Sequence, residues 1–364
     1  MQAKLQDIIS LLNNYRSSHH IPGFAVSLLA DGKIVYSQGF GTPHAESPYN
    51  LVTDRTLFSI QAITESFTAS ALLHLEEHSS FELDAPVADY LPYFKNQSGD
   101  YLTITTAQLL SHSSGYQENY RITPLLDKGI YAFIKNLPDY KGMVETITNI
   151  DQMRKSLATR KDIAKYFADL KLRSKPGVQF YYYSDAYMIA AAVLEEVSGM
   201  SWEDYVSTYI LVPLGLTETY INLPQELDKK RVAKYYMKGI GEPIQTPTPH
   251  NVTGAPVGSI FTTAKDLSKY LMAHMAPGQF LSKTSLEKMQ AEQVKIDEET
   301  GYGLGWKLRD FQGMKMVEQT GSYPGISSAV SFIPEEKFGL VLLCNTDMIQ
   351  LDKLAQRIIR RVFS

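Results

Sequence analysis

The period of the hydrophobic and polar positions changes twice along the chain. The opening stretch MQAKLQDIISLLNNYRSSHH, with Asp7 and other polar residues every few positions, reads as an amphipathic helix. GFAVSLLADGKIVYSQGFG then places two β-rich runs around Asp31-Gly32, a strong hairpin signal. From about Ile63 to Pro247 the period is mostly helical, as in SFTASALLHLEEHS, TRKDIAKYFADL and AAAVLEEVSGMSWEDYVSTYI. Strands return in SAVSFIPEEKFGLVLLCN, paired around Pro334-Glu335-Glu336, and LDKLAQRIIRRVFS closes the chain as an amphipathic helix. Strands at both ends and helices between them predict an antiparallel sheet flanked by terminal helices, with a helical region inserted.

The aromatic-rich stretch 117–157, with Tyr120, Tyr131, Phe133 and Tyr140, is less regular. It reads equally well as a lid over a pocket or as a packed surface excursion. GEPIQTPTPHN reads as a loop leading back to the sheet.

Composition narrows the function. Among 364 residues, 35 basic side chains face 39 acidic ones, a net charge of -4, which gives no basic surface for nucleic acid. The single cysteine, Cys344, sits in the apolar run FGLVLLCN and reads as a buried strand residue, so no internal disulfide and no thiolate metal cluster is expected. The eight histidines are scattered, and no metal or other cofactor is expected. The N-terminus lacks the layout of a signal peptide, and no run reaches the roughly 18 apolar residues that span a bilayer. The expectation is a soluble protein, cytoplasmic or exported and seen without its leader.

No G-x-S-x-G, H-E-x-x-H, P-loop or Rossmann glycine pattern is present. What the chain carries is an ordered series: LFSIQAITESFTASALLHLEE, LDAPVADYLPYF, LTITTAQLLSHSSGY, SKPGVQFYYYSDAYMIAAAVLEEVSGMSWEDYV, VPLGLTETY, GAPVGSIFTTAKDLSKYL, GYGLGW and EQTGSYPGISSAVSFIPEEKFGLVLLCN. The series resembles the serine β-lactamase and penicillin-binding-protein superfamily, in its class C-like branch of esterases and D-amino-acid peptidases. The resemblance runs from Ile21 to Asn345. It implies an α/β plus all-α fold, with a sheet domain of residues 1–61 and 248–364, a helical domain of residues 62–247 and a cleft between them. It also implies a small acyl, peptide or lactam-like substrate, and leaves the oligomeric state open.

The family works through S-x-x-K at the start of a central helix, Y-x-N on a loop, and K-T-G or H-x-G on an edge strand. Here the resemblance puts Ala62 at the serine position and Glu65 at the lysine position. A methyl group is no nucleophile, and a carboxylate in the first helical turn is favoured as the anion. The second motif is matched to Tyr183-Ser184-Asp185, and the third to Gln319-Thr320-Gly321. The backbone N–H groups of Ala62 and Ser322 fall at oxyanion-hole positions, and they do not depend on side chains. His112 matches a loop motif and reads as a structural hydrogen-bonding histidine; Ser259 and Ser322 fall on the pocket side. The literal S-x-x-K at Ser285–Lys288 lies outside the series and reads as a chance match.

Three functions follow. Glu65 and Asp185, if both point into the cleft, share a proton and, with Tyr183, perform acid/base chemistry beside a carbonyl without a covalent intermediate. Alternatively the chain is inactive and binds an acyl or peptide ligand. In the third reading it is a serine hydrolase that uses another serine, or Ala62 replaces a natural serine, which leaves Glu65 unexplained. The change of basic and amide positions to Glu, Asp and Gln favours the first.

Overall fold

The computed structural model describes residues 2–47, 49–95, 99–116, 122–145, 149–238 and 242–364. Among these, the frame is an eight-stranded sheet whose neighbours all pair antiparallel. In chain order the strands are β1 (Gly23–Ala30), β2 (Lys33–Gly41), β3 (Val294–Lys295), β4 (Thr300–Tyr302), β5 (Lys307–Phe311), β6 (Met314–Tyr323), β7 (Ile326–Ile333) and β8 (Phe338–Cys344). In space they run β2-β1-β8-β7-β6-β5-β4-β3. Asp31 and Gly32 both take positive φ, 52° and 68°, as the two-residue turn between β1 and β2 requires.

Strand β8 shows why the sheet sits in the interior. Its residues are all buried, and they alternate between two apolar clusters. Leu340, Leu342 and Cys344 face α1 (Gln2–Ser18) and the C-terminal helix Leu351–Phe363 through Ile8, Leu12, Leu354 and Ile358. Val341 and Leu343 face the other way, toward the helical region. With both faces covered, the strand reads as a continuous apolar run. Burial pushes the Cys344 thiol up to about 12, as suits an inert core cysteine.

The helical region has no core of its own. One cluster runs from Ala25 and Val341 on the sheet through Phe67 and Leu72 of α2 (Thr64–His78) to Ile189 and Leu194 of the helix Ala186–Ser198. Thr64 to Leu73 are all buried, so α2 is enclosed on every side rather than along one stripe. The same cluster reaches the helix Ala264–Met275, capped by the Thr263 hydroxyl. Among the described residues, no helix is long and apolar enough to cross a membrane.

The strand carrying Gln319 to Gly321 was expected at an edge, and the structure corrects this. Strands β5, β4 and β3 continue the sheet beyond it. However, β5 begins at Lys307, opposite Glu318, so Gln319 to Tyr323 pair only with β7 and stay open on the other side. The strand is interior for one half of its length and a local edge for the other.

Under this sheet His274 is fully buried among Tyr270, Phe280, Trp306 and Phe332. Burial lowers its pKa from 6.5 to about 4. The folded state therefore binds fewer protons than the unfolded chain across this window, and stability falls as pH drops from 6.5 to 4. One such histidine contributes up to about 1.4 kcal/mol per pH unit. Denaturant titrations across this range should show His274→Gln with a shallower slope than wild type by up to that amount, whatever its absolute stability; equal slopes would refute the assignment.

Candidate active site

A cavity of about 380 Å³ opens where the first turn leading into α2, the open end of β6 and the segment 180–185 converge. Ala62 lies in the tight turn Gln61–Ile63, in which Gln61 takes φ 48° and also lines the cavity. Gln319, Thr320 and Ser322 line the opposite wall, and Thr123 and Pro124 close one side. The close approach of β6 depends on Gly321, where a Cβ would come within 2.1 Å of the Ile60 carbonyl oxygen.

Glu65 has no exposed surface. Its Oε1 accepts a hydrogen bond from the Tyr182 hydroxyl at 2.9 Å, and its Oε2 is buried without a hydrogen-bond partner among the described residues. His112 Nε2 lies 3.4 Å from that Oε2 and 3.2 Å from the Tyr302 hydroxyl. The His112 Nδ1 accepts the Tyr183 backbone N–H at 3.2 Å, which fixes the ring proton on Nε2. His112 is thus the hydrogen-bonding residue expected, held at φ 55°. The Tyr302 oxygen also accepts from Gln319 Nε2 at 2.7 Å. Burial, and then the nearby Glu65 charge, raise Tyr302 well above the usual phenol range, so it is a proton donor rather than an anion.

The tyrosine facing the cavity is Tyr182, and this corrects the match to Tyr183. Phe180, Tyr182 and Ser184 alternate into the cleft, as every second residue of an extended segment must. The Tyr183 side chain points the other way and packs between Tyr116 and Phe167, with ring centroids 6.2 and 5.4 Å away. The cavity wall here is formed by Phe180, Tyr182, Ser184 and Asp185. Three consecutive tyrosines do not show in the sequence which ring faces the cavity.

Asp185 does line the cavity, but its oxygens accept from the Ile122 backbone N–H and the Thr123 hydroxyl. The two carboxylates thus have separate partners, Asp185 on the 122–126 segment and Glu65 on Tyr182. In the stretch 117–157, Tyr120 and residues 117–121 and 146–148 lie outside the described residues. Ser259 is buried and donates to the Asn251 carbonyl, away from the lining. In the literal S-x-x-K, burial pulls the Lys288 pKa down, but hydrogen bonds to the Glu76 and Asp84 carboxylates outweigh it and raise the pKa, the opposite of an activated base. Sequence reasoning missed Gln61, Tyr182, Tyr302 and Lys307, all of which line the cavity. The GYGLGW motif pointed at Tyr302, and Lys307 follows it directly. Gln61 adjoins Ala62, and only its buried left-handed turn marks it.

The covered antiparallel sheet, the enclosed central helix and a cleft at that helix's start define the β-lactamase-like class. The family model described as Beta-lactamase matches residues 8–362, and the chain belongs to that family. It is similar to Protein flp of Staphylococcus aureus, 22% identical over 356 residues, 97% of this chain. The chain spans 65% of the length of that curated relative. It is also similar to Penicillin-binding protein 4 of Amycolatopsis lactamdurans, 26% identical over 348 residues, 91% of this chain and 82% of that one. Among solved structures, the octameric penicillin-binding protein homologue from Pyrococcus abyssi superposes with a TM-score of 0.84 at 27% identity, covering 99% of this chain and 77% of that one.

Because Tyr302 stays protonated, Tyr302→Phe should leave the ultraviolet phenolate titration of the folded protein unchanged up to about pH 10, the ordinary phenol midpoint. Loss of one titrating phenol below that pH would contradict the burial argument.

Proposed function

We propose that the cleft performs acid/base chemistry, without a covalent intermediate, on a small carbonyl-containing ligand of acyl or peptide type. The observation that carries this is the Tyr182 hydroxyl on the cavity wall, donating to the enclosed Glu65 carboxylate at 2.9 Å, with the Ala62 methyl close by. Tyr182 directs its own proton backward and its oxygen lone pairs toward the ligand. A proton leaving the substrate, or an attacking water, passes to the Tyr182 oxygen while the phenol's proton moves to Glu65. The charge that develops on the carbonyl oxygen meets the N–H groups of Ala62 and Ser322. The proton then returns by the same route. Enolisation, cyclisation, isomerisation, elimination and direct hydrolysis all fit this sequence. Asp185 takes a different part from the one first expected of it: it holds the Ile122–Thr123 wall. The open side of Gln319 to Tyr323 suits an extended acyl or peptide ligand, which would add backbone hydrogen bonds there.

The second reading, a ligand-binding protein without turnover, draws on one observation: both carboxylates already serve donors of the chain itself. Two experiments decide. Intact mass after exposure of the folded protein to a fluorophosphonate, and separately to benzylpenicillin, should show no stoichiometric adduct; a single modified serine would overturn both readings and restore a serine hydrolase. In a panel of p-nitrophenyl esters, D-alanyl peptides and lactams, turnover should fall about 10²–10⁴-fold in Tyr182→Phe and Glu65→Gln, with KM little changed. Binding without turnover anywhere in the panel favours the second reading, and turnover untouched by either substitution refutes the Tyr182–Glu65 relay.

A further inference from the structure

We infer that two copies of this chain associate about a two-fold axis through the free edge of β2, joining their sheets into one. The inference is independent of the chemistry proposed for the cleft. Among the described residues, β2 pairs only with β1, and its other edge has no neighbour. The opposite end of the sheet is closed by β3, which is only two residues long. An open edge presents a row of backbone N–H and C=O groups whose natural partner is another extended strand.

Edges that stay free are commonly protected by charged side chains. From Ile34 to Gly41, IVYSQGFG, β2 carries none. Its pairing with β1 shifts once, between Leu28 and Leu29, and from Tyr36 to Gly41 the register is unbroken. The one charged residue of the strand, Lys33, stands at its first position. Antiparallel pairing centred between Ser37 and Gln38 carries each Lys33 to the far end of its copy, so the two ammonium groups stay roughly 30 Å apart and do not repel.

Large apolar side chains lie exposed at both ends of this edge. Val35, beside the register shift, is 47% exposed. At the other end the Val52 N–H donates to the Gly41 carbonyl at 2.9 Å, and a Cβ on Gly39 would come within 2.3 Å of the Val52 carbonyl oxygen. The segment leading into Val52 is thereby held at that end, with Tyr49 98% and Leu51 61% exposed. A two-fold axis through the middle of β2 sets Val35 of one copy beside Leu51 and Tyr49 of the other, and does so twice. This match between the two ends selects a second copy over an unrelated peptide, and it closes on itself as a dimer.

The test is sedimentation of the full chain from about 1 µM to about 100 µM. Wild type should reach twice the chain mass at the upper end and dissociate on dilution. Val35→Lys and Leu51→Lys each place an ammonium in the apolar contact and should weaken the dimer about ten-fold or more. Leu102→Lys, at an exposed site outside this edge, should leave it unchanged. In wild type, the amides between Tyr36 and Phe40 that face away from β1 should exchange hydrogen more slowly as concentration rises, a readout that needs no variant. A chain that stays monomeric at about 100 µM, an assembly that survives both Val35→Lys and Leu51→Lys, or exchange at these amides that does not depend on concentration overturns the inference.

Discussion

A carboxylate with no exposed surface must be held by donors, and in this chain that requirement joins segments far apart in sequence. Glu65 comes from the first turn of α2, and the donor that meets it, Tyr182, from a segment more than a hundred residues later. His112 is 3.4 Å away on a third segment, its ring oriented by the Tyr183 backbone N–H. Tyr302, at the end of β4, receives His112 and Gln319 and so carries the network onto the sheet. Leaving such a carboxylate unpaired would cost several kcal/mol. The positions of these four segments are therefore mutually constrained, and the cleft wall follows from them.

The same network explains the division of labour in the cavity. Glu65 lies behind the wall, hydrogen-bonded to Tyr182, whereas Asp185 stands on the wall and is occupied by the backbone and hydroxyl of its neighbours. The two carboxylates are thus in different environments, one enclosed behind Tyr182 and one on the wall beside Ile122 and Thr123. Gly321 contributes by having no side chain, because any Cβ would collide with the Ile60 carbonyl and push β6 away from the turn that bears Ala62. The open half of β6 follows in turn from where β5 begins.

Much of the architecture was legible in the sequence because it rests on local period and turn chemistry. The Asp31-Gly32 hairpin, the strand pair around Pro334, the terminal helices and the buried Cys344 all answer to short-range rules of pleat, pitch and left-handed turn residues. The ordered motifs placed Ala62, Gln319, Thr320 and Ser322 on the cavity and His112 beside it, since each motif marks one short segment.

The tertiary structure alone decided what those segments do together. Three consecutive tyrosines are equivalent in a string of letters, but an extended segment turns alternate residues to opposite sides, which sends Tyr182 to the cleft and Tyr183 to the core. Lys307 had no motif, and its presence on the cavity depends on the register of β5 against β6. The pairing of Asp185 with Thr123 and of Glu65 with Tyr182 is likewise a matter of distance across the fold. Periodicity specifies which face of an element is apolar; which polar groups converge depends on how those faces pack, and that is a property of the whole chain.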